Sequence, residues 1–443
     1  MTRNTVYRRK IYDRLLEWKK SEGATALLIE GARRVGKTTV VSEFAKNEYR
    51  SFILIDFSDC DDDIKELFKT YSKGADRFFA RLQELTGTIL YRRESLIVFD
   101  EVQLFPLARQ LIKHLVKDGR YDYVETGSLI SIKKNIKDIL IPSEEDSVGM
   151  HPMDFEEFLW AQGNQSTVDL LREDFKNLEP LGLQTHRHLM DLYITYMIVG
   201  GMPQAVEAYL EEGSFEAAER AKVKILELYY KDTVKINARR VLKTIPAQLA
   251  KHDRSFSPSI VRKKSKTRDY LKAVDWLTES KMVNRCIRVS DPGPAMALTE
   301  DEISFKLYLA DTGLLITASF MENVANRNQL YRDLLKGKIN VNRGMFFENM
   351  IAQELVMTGH SLTYAKFEHE ESSQLQEVDF VIADGNKVIP LESKSGYSSL
   401  HKSLDRFMDK FADRMEKAYV IHSKDLRVDG NVIYLPIYMT MLL

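Results

Sequence analysis

The sequence predicts an α/β fold organised on a parallel sheet, and three stretches carry that expectation. Ala26-Leu27-Leu28-Ile29 is an apolar run that leads through a glycine-bounded loop into the helical pattern of residues 39–46. Phe52-Ile53-Leu54-Ile55-Asp56-Phe57 and Leu96-Ile97-Val98-Phe99-Asp100-Glu101 are continuous apolar runs of the kind found in parallel strands covered on both faces. Ligands of open α/β sheets collect outside the ends of such strands.

The loop, Gly31-Ala32-Arg33-Arg34-Val35-Gly36-Lys37-Thr38, has the strand-loop-helix context that phosphate binding requires. Its glycines let the backbone turn so that successive N–H groups point at phosphates. The following helix, entered at Thr39, adds the positive end of its dipole. Lys37 is placed to reach the β- and γ-phosphates, and the Thr38 hydroxyl to bind Mg²⁺. A plain strand-to-helix turn is the competing reading, and the flanking elements argue against it.

Asp100 and Glu101 follow four apolar residues. A buried strand ending in two acids delivers the first to the Mg²⁺ shell and the second to a water to be activated. A solvated turn is the alternative, made weaker by the upstream loop. The run Tyr121-Asp122-Tyr123-Val124-Glu125 ends in Thr126-Gly127-Ser128. A hydroxyl there either senses the γ-phosphate or belongs to an ordinary turn.

A chain of 443 residues suggests two to four domains. Lys plus Arg total 64 and Asp plus Glu 65, so any nucleic-acid surface is a local patch. Cys60 and Cys286 lack metal-type spacing, which argues against a disulfide framework and structural zinc and fits a reducing compartment. The basic first residues precede no apolar signal core, and no run reaches membrane-spanning length. The expectation is a cytoplasmic protein without a membrane partner.

Residues 7–20 read as an amphipathic helix, and residues 61–87 as helical and charged. From 151 to 250 the pattern is helical, interrupted by Gly200-Gly201-Met202-Pro203, and suggests a lid over the nucleotide. Residues 251–320 combine helices with a two-strand ribbon, a winged helix-turn-helix pattern. Arg262, Lys263, Lys264, Lys266, Arg268 and Lys272 cluster there. They read equally as contacts for a DNA phosphate backbone or as a solvated face. Residues 320–340 read as a linker.

The last hundred residues bring a helix through Phe346 and Leu355, then two β-rich runs joined at Asp384-Gly385, a hairpin signal. Glu392 and Lys394 share one strand face, and Asp379 on the partner strand comes beside Glu392. Two carboxylates and a lysine on one face form a metal-dependent phosphodiesterase arrangement, in which the acids hold Mg²⁺ and the lysine steadies the developing charge. Glu348 on the preceding helix is a further candidate ligand. The competing reading is an exposed, ion-paired strand face.

With these residues in place, the chain resembles the bacterial and archaeal AAA+ P-loop ATPases that carry a C-terminal domain similar to PD-(D/E)xK, restriction-endonuclease-like nucleases. The resemblance also rests on Pro152 to Phe158, Gly200 to Pro203, and Lys306 to Leu315. It implies an ATPase core over 1–150, a helical lid over 151–250, a winged-helix-like domain over 251–320 and a nuclease-like domain over 321–443. It implies ATP and Mg²⁺ as cofactors, held by the loop from Gly31 to Thr39 with Asp100, with Glu101 as catalytic base and Thr126 as sensor. In the C-terminal domain it implies Asp379, Glu392 and Lys394 as a catalytic triad, with Glu348, Asp379 and Glu392 on a metal. Val378 stands where the nuclease pattern has proline, and no arginine finger is placed for the implied homo-oligomer. The function that follows is an ATPase whose nucleotide state controls a nuclease-like domain acting on DNA. The alternative is a nucleotide-gated binding or scaffold protein whose C-terminal fold is inactive.

Overall fold

The computed structural model describes residues 6–70, 74–128, 143–233, 237–321, 331, 343–369, 372–396 and 401–443. Most of the expected linker at 320–340 lies outside them. The chain divides into two compact units, residues 1–151 with 279–281, and 152–278 with 282–443.

The first unit is built on a parallel sheet of β1 (Ala26–Gly31), β2 (Ser51–Asp56), β3 (Ser95–Asp100), β4 (Asp122–Gly127) and β5 (Glu145–Met150), in the order β2-β3-β4-β1-β5. The three apolar runs become β1, β2 and β3, and β3 is buried at every position. Ile53, Ile55, Ile97, Phe99 and Tyr123 form one core with Phe68, Phe78, Phe79, Leu82 and Ile112 from three helices. Two of these, Asp62–Lys69 and Ala75–Thr86, occupy the stretch expected to be helical at 61–87. The helix Lys37–Glu48 also packs on the sheet, and the N-terminal helix Lys10–Lys19 leans on it through Tyr12, edge-on to Phe44. Only β5, polar along most of its length, escaped the sequence pattern. It pairs with β1 and ends where Met150 meets Gly31.

Because β1 lies between β4 and β5, the strand order reverses there. The loop after β1 therefore opens into the crevice where α/β ligands bind. Beside it, β4 stands between β1 and β3, so Thr126 and Asp100 end neighbouring strands.

The second unit joins helices to a mixed sheet of eight strands among the described residues, ordered β12-β13-β11-β10-β9-β8-β6-β7. The strands are β6 (Val283–Val289), β7 (Glu300–Leu309), β8 (Thr363–His369), β9 (Ser372–Asp384), β10 (Lys387–Lys394), β11 (Ala418–His422), β12 (Arg427–Asp429) and β13 (Val432–Pro436). The ribbon expected within 251–320 forms as β6 and β7, but it does not stand alone. β6 also pairs in parallel with β8, so the boundary expected at 320/321 runs through one continuous sheet. At Ile287, Arg288 and Val289 the second edge of β6 is paired by β8, where an isolated wing would have left it to water. The expected hairpin forms as β9 and β10, turning through Gly385 at φ +58.

Three motifs from distant parts of the chain meet in this unit. Gly201 N–H donates to Asp311, whose carboxylate also caps the helix Thr312–Ser319 at Leu314 N–H (2.7 Å). Met153 N–H donates to Gly201 carbonyl at 2.6 Å, and a Cβ on Gly201 would lie 2.0 Å from Met153 carbonyl oxygen. A Cβ on Gly313 would strike the Gly200 backbone at 2.6 Å. Tyr196 hydroxyl donates to Met153 carbonyl (2.8 Å) and accepts from Gln353 (2.7 Å). These motifs are therefore packing and hydrogen-bonding devices. The helices expected to form a lid belong with this unit, in which Phe215–Asp232 packs on Thr312–Ser319.

Candidate functional site

The loop after β1 closes on helix Lys37–Glu48 with Gly36 as N-cap at φ +95, a left-handed conformation that a side chain would strain. Arg34 is left-handed as well, at φ +71. Gly31 answers a different need. A Cβ there would sit 2.3 Å from Met150 carbonyl oxygen, so the residue is small because β5 passes close by. Lys37 is buried, and its Nζ donates to Gly31 and Ala32 carbonyls at 3.0 Å each. Burial pulls its pKa below the ordinary lysine range, opposed by Glu101 and Asp100.

Thr38 hydroxyl donates to both oxygens of Asp100 at 2.9 Å, and Thr126 hydroxyl also donates to Asp100. Burial raises the Asp100 pKa against these two donors, with Glu101 adding to the rise. A buried carboxylate short of positive charge beside a threonine oxygen suits a hard cation, which takes oxygen ligands and completes its shell with phosphate and water. Asp100 and Thr38 therefore fit Mg²⁺. Glu101 adopts φ +53, a strained conformation for a glutamate, and accepts from Gln103. Its backbone N–H reaches Thr126 hydroxyl at 3.3 Å. Ala32 and Val35 are buried, whereas Arg34, Thr38 and Thr39 are exposed at the loop surface.

Arg9 is a part of this site that the sequence did not reveal. It is buried, and it donates to Val35 carbonyl at 2.8 Å and to His151 carbonyl at 2.7 Å, fixing the loop from outside. Among basic neighbours at the chain start, nothing in the sequence marks it.

In the second unit the hairpin register pairs Leu391 with Phe380, which brings the next residues, Glu392 and Asp379, side by side. Lys394 Nζ donates to Glu392 at 2.8 Å, and Ser393 N–H donates to Asp379 at 2.9 Å. Burial, then Asp379, pushes the Glu392 pKa up to about 7, while Lys394 opposes the rise. Glu348 faces this cluster from the helix Arg343–Met357 but is committed elsewhere. Lys306 Nζ lies 3.2 Å from it, and Tyr308 and Arg254 also bind its carboxylate.

Among the described residues no group of three or more His, Cys, Asp or Glu side chains comes together to hold a metal ion. The expected metal set of Glu348, Asp379 and Glu392 does not fit as it stands, because cations of the protein already occupy the carboxylates. Lys306, Arg254 and Glu377 were not singled out by sequence as site residues. A lysine inside the apolar run Phe305 to Ala310 was the available signal.

The expected basic patch is exposed at Arg262, Lys263, Lys264, Lys266 and Arg268. It lies on the turns that join the short helix Pro258–Val261 to the helix Leu271–Glu279. No helix among the described residues is long and apolar enough to cross a membrane.

The residues of the first site fall within a stretch that is similar to a known family. Residues 24–159 match the family described as AAA domain. Residues 190–325 match a domain of unknown function (DUF8612), and residues 343–439 match another (DUF4143). A search of curated proteins found no match. Similar solved structures include a Signal Transduction ATPase with Numerous Domains (STAND) protein with a tetratricopeptide repeat sensor from Pyrococcus horikoshii. The two share 12% identity at a TM-score of 0.28, over 80% of this chain and 49% of the other, so the chain spans about half that protein's length. Drosophila ORC bound to DNA shares 11% identity at a TM-score of 0.24, over 71% of this chain and 87% of the other. Cdc6p from Pyrobaculum aerophilum shares 12% identity at a TM-score of 0.27, over 76% of this chain and 98% of the other. The loop, the paired Thr38 and Asp100, and the five parallel strands all lie within residues 24–159, the part of the chain that is similar to the AAA domain family.

Proposed function

We propose that this protein is a Mg²⁺-dependent ATPase whose nucleotide state governs what its second unit holds. The observation that carries the reading is the meeting of Thr38 and Asp100 at the ends of two elements that also present Lys37 and Glu101. When bound, Mg²⁺ supplies charge neutralisation across the β- and γ-phosphates. The main-chain amides of Gly31 to Thr38 orient the triphosphate, and Lys37 moves from its loop carbonyls onto it. Glu101 takes the proton of the attacking water, and Thr126 holds Asp100 and the Glu101 backbone in register. Phosphate release from purified protein with MgATP tests this. Glu101→Gln is expected to bind ATP yet turn over at least about 100-fold more slowly; equal turnover would reject the assignment.

For the second unit the best-supported role is binding. The exposed cluster from Arg262 to Arg268 suits a phosphate backbone, and its DNA affinity is expected to fall steeply with salt. A cleaving role is the second reading, favoured by the alignment of Asp379, Glu392 and Lys394 on one hairpin face. Incubation with circular and linear DNA in Mg²⁺ or Mn²⁺ separates the two. Cleavage lost in Lys394→Ala supports cutting, and retention of DNA without cleavage supports binding.

A further inference from the structure

We propose that Lys306 is the built-in cation of the carboxylate cluster in the second unit, standing where a divalent metal would sit, so that the intact protein takes no divalent ion there. The inference does not depend on the ATPase reading.

Lys306 has no solvent exposure, and its neighbours along β7, Phe305 and Leu307, are buried apolar residues. A buried ammonium without partners costs several kcal/mol, so one persists only where anions surround it. Its side chain passes the Tyr364 ring on β8, with Nζ 4.9 Å from the ring centroid. The Nζ ends 2.7 Å from Glu377, 3.2 Å from Glu348 and 3.9 Å from Asp379. Burial acts to strip its proton, but Tyr308, Glu377 and Asp379 outweigh burial and hold the ammonium charged.

The carboxylates around it are already engaged by the protein's own cations. Glu348, Glu377, Asp379 and Glu392 face Lys306, Arg254, Lys366 and Lys394, with Lys366 3.2 Å from Glu377 and shared with Asp253 at 3.1 Å. A divalent ion needs six or more oxygen ligands or retained waters. Glu348 receives Lys306, Arg254 and Tyr308, and Asp379 receives Ser393 N–H, so little coordinating capacity remains. Two oxygens have no hydrogen-bond donor: Glu348 Oε2, which meets Arg254 as an ion pair, and Glu392 Oε2, on a residue with 8% exposure. Removing the ammonium would leave Glu348, Glu377 and Asp379 each short of the cation they share, next to the unsatisfied oxygen of Glu392. A set of hard oxygen donors of this kind selects Mg²⁺ or Mn²⁺.

The test is Mn²⁺ titration of nucleotide-free protein, read as loss of the free-ion paramagnetic resonance signal. Wild type and Asp379→Asn are expected to bind alike, because Asp379 holds no ion in either. Lys306→Met, close to lysine in volume, is expected to gain one site per chain, at least tenfold tighter than any wild-type binding. Lys306→Met with Asp379→Asn is expected to lose that site. Wild-type Mn²⁺ binding that Asp379→Asn abolishes would overturn the proposal, as would a folded Lys306→Met with no new site. If Lys306→Met folds only when Mn²⁺ is added, the proposal is supported. If it does not fold at all, the comparison of wild type with Asp379→Asn decides by the same criteria.

Discussion

Thr38 and Asp100 lie 62 residues apart, yet the threonine hydroxyl donates to both carboxylate oxygens at 2.9 Å. This contact joins the loop after β1 to the end of β3. Thr126 grips the same carboxylate from β4, so three neighbouring elements share one acid.

Asp100→Asn keeps the shape of this contact and removes its charge. ATP turnover is expected to fall about 100-fold or more, corresponding to about 3 kcal/mol of transition-state stabilisation. The expected response to raised Mg²⁺ is little recovery. Steady-state phosphate release across a Mg²⁺ series checks it, and full rescue at high Mg²⁺ would mean the carboxylate is only structural.

Arg9→Ala removes two bonds to backbone carbonyls of Val35 and His151. Leaving buried carbonyls unsatisfied costs about 1–3 kcal/mol each at most. Because Val35 belongs to the phosphate loop, the KM for ATP is expected to rise several-fold while kcat changes less. Arg9→Lys is expected to recover part of the loss. A fall in stability with unchanged KM would show that the residue supports the fold alone.

Gly201→Ala would force a methyl to 2.0 Å from Met153 carbonyl oxygen, where only backbone can yield. Destabilisation of about 3 kcal/mol or more is expected, measured by urea unfolding. Asp311→Ala, which strips the cap at Leu314 and the acceptor for Gly201, is expected to cost about 2–4 kcal/mol.

Glu125 on β4 is wholly buried, neither of its oxygens meets a donor, and it faces Glu145, which Arg109 clamps at 2.6 and 2.9 Å. Burial first, then Glu145, raises its pKa well above the carboxylate range. The folded protein thus binds this proton more tightly than the unfolded chain. Stability from this group is complete below the ordinary glutamate pKa and falls as pH rises from there toward the folded value. Its slope reaches at most about 1.4 kcal/mol per pH unit. Glu125→Gln is expected to flatten the decline between pH 5 and pH 8 relative to wild type in urea midpoints. Parallel profiles would contradict it.

Much of the first unit was legible because its strands are continuous apolar runs and its loop has fixed glycine and lysine spacing. The loop and the helix that follows it were readable from the glycines and Lys37-Thr38, yet the reason for Gly31 was not, since β5 is polar and left no pattern. Arg9 left no mark in the sequence, and Lys306 showed only as a lysine inside an apolar run, for a shared reason. Each is a cation whose importance comes from partners far along the chain, and a sequence shows neither the carbonyls nor the carboxylates that a fold gathers around it. The hairpin carrying Asp379 and Glu392 was readable from Asp384-Gly385 and period-two alternation. That β6 and β7 extend the same sheet was not, because pairing such as that of Ile287 with Thr363, 76 residues on, leaves no local mark.

The central claim is that the amides of the first loop and Lys37 hold a triphosphate. Calorimetric titration of MgATP into wild type and Lys37→Ala tests it most directly. Saturable one-to-one binding in wild type, weakened at least tenfold in Lys37→Ala, is the predicted result. No heat and no saturation in wild type, or equal binding by both proteins, would contradict it.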